Sequence, residues 1–189
     1  MEISNETGLL SLACQFASAH FSERPDPNDI SLLVIHCISL PPGQFGGREI
    51  HDLFMGQLDC DAHEYFEQLR GLEVSSHLVI SRDGSVEQYV PFHLMAWHAG
   101  KSEFNGRQRC NDFSIGIELE GTETETYTDA QYRSLSRVTK CLLDHYPAIN
   151  PERIVGHSDI APVRKTDPGQ FFDWERYMRM LESEDVDHD

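Results

Sequence analysis

The chain is poor in positive charge. It carries 15 Lys and Arg residues against 32 Asp and Glu residues, which gives a formal net charge of -17. Such an acidic surface repels phosphate backbones and anionic lipids, so we expect neither nucleic-acid nor membrane partners. The chain also lacks any run of about 18 apolar residues that could span a bilayer. Residues 1–10 contain two acidic residues and no basic residue, which is not typical of a secretory signal.

Cysteine is equally sparse, with five scattered residues and no CxxC pair. This pattern argues against a disulfide framework and against a four-cysteine zinc site. Free thiols indicate a reducing compartment, so we predict a cytoplasmic protein, and we expect it to act as a monomer. No GxGxxG, P-loop, HExxH or GxSxG motif is present, so the enzyme classes that those motifs mark are not indicated.

The order of predicted elements is that of one α/β domain. With 39% hydrophobic and 25% charged residues, a chain of 189 residues is typical of a single globular domain. Continuous apolar character predicts a strand at 30–36 that is buried on both faces. The remaining predicted elements are a hairpin over 77–90 with a turn at Asp83-Gly84, strands at 114–121 and 153–157, and helices at 48–55, 61–69, 128–146 and 171–181. Interleaved strands and helices predict a mixed central sheet flanked by helices.

The domain boundaries follow from composition. Residues 1–28 are polar and are predicted to form a peripheral segment, and residues 29–182 are predicted to form the domain itself. The acidic tail, residues 183–189, is expected to be disordered.

One loop concentrates chemically useful side chains. Within residues 154–169 lie His157, Asp159, Lys165 and Asp167, and the glycines and prolines around them argue against a regular helix or strand. A loop that leaves a buried strand is a common place for catalytic groups. The alternative is a solvated turn that only begins the last helix.

Two histidines stand where apolar strands end. If the strands carrying His36 and His157 are neighbours, both imidazoles meet at one edge of the sheet, where open α/β sheets bind ligands. Two histidines and one carboxylate, with a fourth position open, form a known catalytic zinc arrangement, and Asp167 is the candidate third ligand. Alternatively, His36 is a hydrogen-bonded core histidine.

Glu118 lies between Ile117 and Leu119 on a predicted central strand. A carboxylate there is costly without a partner or a task, and desolvation would raise its pKa toward the range useful for proton transfer. The alternative is a half-exposed strand face on which Glu118 and Glu120 are simply solvated. A third interpretation is a metal-free inverting glycosidase, because carboxylates two residues apart on a strand lie roughly 6.5 to 7 Å apart.

A last group of candidates surrounds the segment AWHAG at 96–100. Trp97 could stack on a sugar ring, and His98 and Arg109 are further candidates for substrate binding. The alternative for Trp97 is an ordinary place in the core.

Several long motifs recur in the order of a known family. They are HCISLPPGQFGG, VSSHLVISRDG, QYVPF, AWHAG, RCNDFSIGIELEGT and GHSDIAPVRKTDPG, and they span about residues 30 to 175. Together they resemble the AmpD-type cytosolic 1,6-anhydro-N-acetylmuramyl-L-alanine amidases, within the superfamily of zinc amidases and peptidoglycan recognition proteins. The resemblance identifies residues 29–182 as an amidase domain that cleaves the bond between the lactyl group of (1,6-anhydro-)N-acetylmuramic acid and L-alanine during peptidoglycan recycling.

The resemblance also assigns roles to individual residues. It implies one zinc ion held by His36, His157 and Asp167, with Glu118 as the proton acceptor and Lys165 as the group that stabilises the transition state. Recognition proteins of the superfamily that bind without cleaving often carry cysteine at the position of Asp167, so the carboxylate favours hydrolysis over a wall-fragment sensor.

Two residues depart from the family pattern. Cys37 stands where asparagine is frequent, and Glu73 stands where a basic residue is associated with substrate binding, which puts affinity for the peptide stem in doubt. The glycines of the loops 39–65 and 97–110 permit these loops to move over the site.

Overall fold

The computed structural model describes residues 1–183, so the predicted acidic tail lies, apart from Ser183, outside the described residues. Within that range the strands are β1 (Cys14–Gln15), β2 (Phe21–Glu23), β3 (Leu32–Ile38), β4 (Leu78–Ile80), β5 (Val86–Gln88), β6 (Leu94–Ala96), β7 (Glu103–Phe104), β8 (Arg107–Gln108), β9 (Ser114–Glu120) and β10 (Ile154–Gly156). The α-helices are α1 (Glu49–Phe54), α2 (Asp129–His145), α3 (His157–Ile160) and α4 (Trp174–Glu182). Three 3-10 helices cover Glu64–Leu69, Cys110–Asp112 and Pro151–Arg153.

A mixed six-stranded sheet forms the centre of the domain, as predicted. Its strand order is β1-β5-β4-β9-β3-β10. The strands β4, β9, β3 and β10 run parallel, whereas β5 is antiparallel to β4. Consequently β3, β9 and β10 all end at the same edge of the sheet.

Both faces of the central strands are buried, which explains the continuous apolar run of β3. On one face, Leu33 and Ile35 pack with Ile115 and Ile117 against side chains of α2 and α4. On the other face, Leu32, Val34 and the loop around Ala99 and Phe113 form a second cluster. Full burial of such aliphatic side chains contributes about 1.5–3 kcal/mol each, so these two clusters hold the sheet in place.

The predicted helix at 128–146 is α2, and it begins with a capping box. The Thr128 hydroxyl accepts from the backbone N–H of Gln131 at 3.1 Å, and the Gln131 side-chain oxygen accepts from the N–H of Thr128 at 3.1 Å. The Gln131 amide also donates to the carbonyl oxygens of Ile80 and Glu120. One residue therefore begins the helix and ties it to the sheet.

Several boundaries differ from the sequence predictions. The segment predicted as a helix at 61–69 is a 3-10 helix from Glu64, and the last helix begins at Trp174 because Asp173 caps it. In the 77–90 hairpin, Gly84 has a φ of 85°, and Asp83 does not share this positive φ. Within the segment 154–169, the strand β10 is followed by the single helical turn α3, contrary to the expectation that no helix forms there.

The amino-terminal residues lie against the sheet. The strand β1 pairs with β5 at the sheet edge, and β2 pairs with β6. Arg24 is buried, and its guanidinium donates to the carbonyl oxygens of Phe92 and Ser114. Within residues 1–183, no helix is long and apolar enough to cross a membrane.

Candidate active site

Strand register brings the predicted site residues to one edge of the sheet. On neighbouring parallel strands, His36 of β3 lies directly opposite Glu118 of β9, so both side chains project from the same face. The strand β10 pairs with β3 on its other side and ends at Gly156, and His157 follows as the first residue of α3. His36 precedes the end of β3 by two residues rather than ending it.

Three buried side chains converge at this edge. The Nδ1 atoms of His36 and His157 are 3.0 Å apart, and Asp167 Oδ2 lies 3.1 Å from each of them. Within the described residues this is the one group of three His, Cys, Asp or Glu side chains found close enough to share a metal ion. The residues predicted as zinc ligands are therefore brought together.

The donor set fits zinc. Three lone-pair atoms this close repel one another unless a cation or a shared proton lies among them. Zinc bonds of about 2.0–2.1 Å in a tetrahedron place neighbouring ligand atoms about 3.3 Å apart, close to the separations here. Two imidazole nitrogens and one carboxylate oxygen also leave a fourth position for water or substrate.

Burial and contacts set the charge of this group. Burial lowers the pKa of His36 to about 4, so the imidazole is neutral and keeps a lone pair at neutral pH. Burial alone would raise the pKa of Asp167, but the contacts with His157 and His36 outweigh it and hold the pKa below its usual value. The carboxylate is consequently ionised, as a metal ligand must be.

The loop that carries Asp167 is held by backbone hydrogen bonds. The N–H of Ser158 donates to the carbonyl oxygen of Asp167 at 3.0 Å, and the N–H of Lys165 donates to that of Ala161 at 2.9 Å. The Tyr127 hydroxyl donates to the carbonyl oxygen of Pro168 at 2.8 Å. The prolines and glycines that break regular structure here thus leave a loop with a defined path.

Glu118 is the second notable group. Among the residues that the structure describes, its Oε2 atom is the one buried side-chain oxygen or nitrogen without a hydrogen-bond partner. Burial raises its pKa well above the usual value, and the negative charge of Asp167 raises it further, whereas Lys165 lowers it. A carboxyl group whose pKa is raised in this way keeps its proton to higher pH than an ordinary glutamate, which suits a group that must take up and release a proton.

These residues line a cavity of about 790 Å³, within the usual range for small-molecule sites. Lys165 lines it together with the three potential metal ligands and Glu118, and apolar side chains of Tyr65, Leu69, Leu72 and Val74 form part of its wall. The sequence reasoning missed this apolar wall. The sequence did contain one indication of this wall. Residues 65–74 include several apolar side chains, but the predicted helix at 61–69 is too short and too weakly patterned to bury them all. Leu72 accordingly is 45% exposed in the structure.

The three residues predicted to bind substrate have different positions. Trp97 lines the cavity, and its Nε1–H donates to Ser22 Oγ at 3.0 Å. His98 lies against His36, with 2.8 Å between His98 Nδ1 and His36 Nε2. Arg109 lies outside the cavity, because its left-handed backbone (φ 63°) and its ion pair with Asp112 at 3.0 Å direct it elsewhere.

Three further residues considered in the sequence analysis, Glu120, Cys37 and Glu73, differ in their position relative to the cavity. Glu120 is buried away from the cavity, where its two carboxylate oxygens accept from the backbone N–H groups of Gly46 and Arg82. Cys37 lines the cavity, and burial raises the pKa of its thiol to about 12, so the thiol is neutral. Glu73 is exposed and does not line the cavity.

The chain is similar to known proteins over most of its length. Residues 26–170 match the model of a family described as N-acetylmuramoyl-L-alanine amidase. The chain is 56% identical over 173 residues to the 1,6-anhydro-N-acetylmuramyl-L-alanine amidase AmpD of Haemophilus influenzae, covering 92% of this chain and 94% of that relative. It superposes on a crystal structure of a selenomethionine AmpD derivative with a TM-score of 0.92 at 54% identity, covering 96% of this chain and 99% of the other.

A more distant structure contains a substrate. It is the N-acetylmuramyl-L-alanine amidase AmiD of E. coli in complex with anhydro-N-acetylmuramic acid-L-Ala-D-gamma-Glu-L-Lys. The TM-score is 0.60 at 32% identity, and the match covers 80% of this chain and 57% of that one.

Proposed function

The chain belongs to the N-acetylmuramoyl-L-alanine amidase family, and from that premise we propose that it hydrolyses 1,6-anhydro-muropeptides with the help of one zinc ion. The bond cleaved is the amide between the lactyl group of 1,6-anhydro-N-acetylmuramic acid and L-alanine of the stem peptide. One observation supports this most strongly: the buried carboxyl of Glu118, with an unpaired oxygen, lies beside a His36–His157–Asp167 cluster in the same cavity.

His36, His157 and Asp167 would hold the zinc ion. When bound in such a donor set, zinc supplies Lewis acidity toward a carbonyl oxygen and toward water. The neutral state of His36 and the ionised state of Asp167 prepare both residues for this role, because ligands must be deprotonated to bind.

Glu118 and Lys165 carry the proton and charge chemistry. The Glu118 carboxylate accepts a proton from the attacking water and delivers it to the leaving amine nitrogen, since an amine anion is too poor a leaving group. Its raised pKa suits both halves of this transfer. The Lys165 ammonium stabilises the negative charge that develops on the amide oxygen, a contribution typically worth about 10²–10³ in rate.

The substrate assignment follows from the relatives and from the cavity. AmpD relatives are named for the 1,6-anhydro substrate, and the AmiD complex holds an anhydro-muropeptide. The apolar wall and Trp97 offer a surface for the anhydro-sugar, which is less polar than the ordinary sugar because its 1,6-anhydro bridge replaces two hydroxyl groups. We further propose a cytoplasmic, monomeric enzyme of peptidoglycan recycling, consistent with unpaired cysteines.

Two other functions have less support. A glycosidase that uses Glu118 and Glu120 would need both carboxylates at one cavity, but Glu120 is bound by two backbone N–H groups elsewhere. A sensor that binds wall fragments without cleaving them would not need the raised pKa of Glu118.

The test is to incubate the purified protein with anhydro-muropeptide, with and without a chelator, and to measure release of the free peptide. We expect peptide only when metal is present, and restoration of activity on adding zinc. Cleavage that is indifferent to the chelator would contradict the proposal, and binding without cleavage would identify a sensor. Cleavage of a glycosidic bond would identify a glycosidase.

A further inference from the structure

The loop after β6 lines the cavity with Trp97 and His98 and also contacts both metal-binding histidines. His98 Nδ1 is 2.8 Å from His36 Nε2, and the carbonyl oxygen of Ala99 is 3.1 Å from His157 Nε2. In each case the nitrogen in contact is the one remote from the His36–His157–Asp167 cluster. Two consecutive residues of one loop therefore contact both imidazoles.

The contact with Ala99 selects the tautomer of His157, and the contacts of His98 allow the matching tautomer of His36. A carbonyl oxygen only accepts hydrogen bonds, so His157 carries its proton on Nε2, and its Nδ1 lone pair faces the cluster. The same state of His36 requires a proton on Nε2, which then donates to His98 Nδ1. His98 in turn carries its proton on Nε2 and donates to Ser114 Oγ at 3.1 Å. In this series His36 donates to His98 and His98 donates to Ser114, so every ring nitrogen involved has a matching donor or acceptor.

Two residues, Gly116 and Asn111, allow His98 to take this position. The His98 ring lies over Gly116 of β9, where a Cβ atom would come within 2.5 Å of the ring. The side-chain oxygen of Asn111 accepts from the backbone N–H groups of both His98 and Ala99, at 3.2 and 2.8 Å. The glycine makes room for the ring, and the asparagine holds the loop that carries it.

We propose that His98 is a positioning residue of the metal centre, which fixes His36 as a zinc ligand through Nδ1, with Ala99 doing the same for His157. The inference rests on the proposed zinc-dependent function and extends it. It gives His98, which also lines the cavity, a role different from the predicted substrate binding. Partners that orient metal-binding histidines are typically worth about 10–100-fold in metal affinity, so the expected effect is measurable.

The test compares two substitutions of nearly equal size and shape. In His98→Asn, the side-chain oxygen lies near the former position of Nδ1 and can accept from His36. In His98→Leu, that position holds a methyl group. Zinc affinity is measured by competition with a chromogenic chelator, and thermal unfolding of the zinc-free proteins serves as the folding control. We expect zinc to bind about 10–100-fold more weakly to His98→Leu and close to wild type to His98→Asn.

A spectroscopic readout addresses the tautomer directly. Nitrogen NMR of the imidazoles in the zinc-loaded wild type should show His36 protonated on Nε2, with Nδ1 bound to the metal. In His98→Leu we expect a mixture of the two tautomers. Protonation of His36 on Nδ1 in the wild type would overturn the proposal, whatever the zinc affinities.

The remaining outcomes are also decisive. If the wild type binds no zinc, the proposed function fails. If the wild type binds zinc and His98→Leu binds it equally well, only the role of His98 fails. Equal loss in both variants would show that ring packing matters and the hydrogen bond does not. Should His98→Leu fail to fold, Ser114→Ala removes only the far partner of His98, and unchanged zinc affinity and tautomer in that variant would count against the proposal.

Discussion

Glu118 and Glu120 occupy the same strand two residues apart, and their side chains leave β9 on the same face, yet their surroundings are opposite. Glu118 has a buried oxygen without a partner, in a cavity beside three potential metal ligands. Glu120 is also buried, but its two oxygens accept from the N–H of Gly46 at 2.5 Å and of Arg82 at 3.0 Å.

The difference separates a functional carboxylate from a structural one. A buried group with all its hydrogen bonds made contributes to stability, whereas a buried group left without partners costs stability and is retained for another reason. Glu120 links the loop containing Gly46 to the turn containing Arg82 by hydrogen bonds, whereas the buried Oε2 atom of Glu118 has no hydrogen-bond partner. The same substitution at the two positions should therefore have opposite effects on activity and stability.

The largest effect is expected from Glu118→Gln. Glutamine keeps the shape but cannot accept and deliver the proton, so kcat should fall by about 10²–10⁴ while zinc content is unchanged. Steady-state kinetics on anhydro-muropeptide and metal analysis provide the measurement, with Glu120→Gln as the matched control. A wild-type rate in Glu118→Gln would remove the catalytic role given to this residue.

Lys165→Met should have the next largest effect. Loss of the ammonium removes stabilisation of the developing oxyanion, and we expect kcat to fall by about 10²–10³. Because Lys165 also lowers the pKa of Glu118, the acidic limb of the pH–rate profile should move to higher pH in this variant. A lower rate with an unmoved profile would indicate that Lys165 does not act on Glu118.

Glu120→Gln should reduce stability rather than catalysis. A glutamine can accept from one of the two N–H groups, but its own NH₂ group then faces the other, which leaves a buried donor unsatisfied. We expect the free energy of unfolding to fall by about 1–3 kcal/mol. Denaturant titration measures this, and the kcat of the folded variant should remain near that of wild type. A loss of rate as large as that of Glu118→Gln, without loss of stability, would reverse the distinction between the two carboxylates.

The smallest effect concerns pH. Because the folded-state pKa of Glu118 is raised above its ordinary value of 4.5, the folded protein binds the proton more tightly than the unfolded chain does. Its contribution to stability is therefore present below that value and is lost as pH rises toward the raised pKa. In zinc-free protein, Glu118→Gln should gain stability relative to wild type by up to about 1.4 kcal/mol per pH unit in that window. A difference that does not change with pH would mean that the carboxyl titrates normally.

Much of the fold could be predicted from local patterns. The apolar run at 30–36, the strand at 114–121 and the helix at 128–146 were each predicted from a local pattern, and the structure contains them as β3, β9 and α2. Boundaries were less accurate, because the end of an element depends on packing. Asp173, for example, begins α4 three residues later than its apolar pattern indicates.

The site could be predicted only in part. The strands that carry His36 and Glu118 are buried and neighbouring, so their register brings these residues together with His157. The positions of His98 and Arg109 could not be read from the sequence, because both lie in loops whose path is decided by distant contacts. Asn111 holds the loop of His98, and Asp112 holds the side chain of Arg109.

The sequence by itself determined the chemical groups, the strands that carry them and the family to which the chain belongs. Tertiary structure alone decided which of the two glutamates on β9 would have a side-chain oxygen without a partner and which histidine would hydrogen-bond to a metal-binding histidine. The physical reason is that hydrogen-bond partners come from remote segments: Gly46 and Arg82 lie 74 and 38 residues from Glu120, and His98 lies 62 residues from His36. Local patterns contain no information about how such segments meet, because that depends on strand order and loop path.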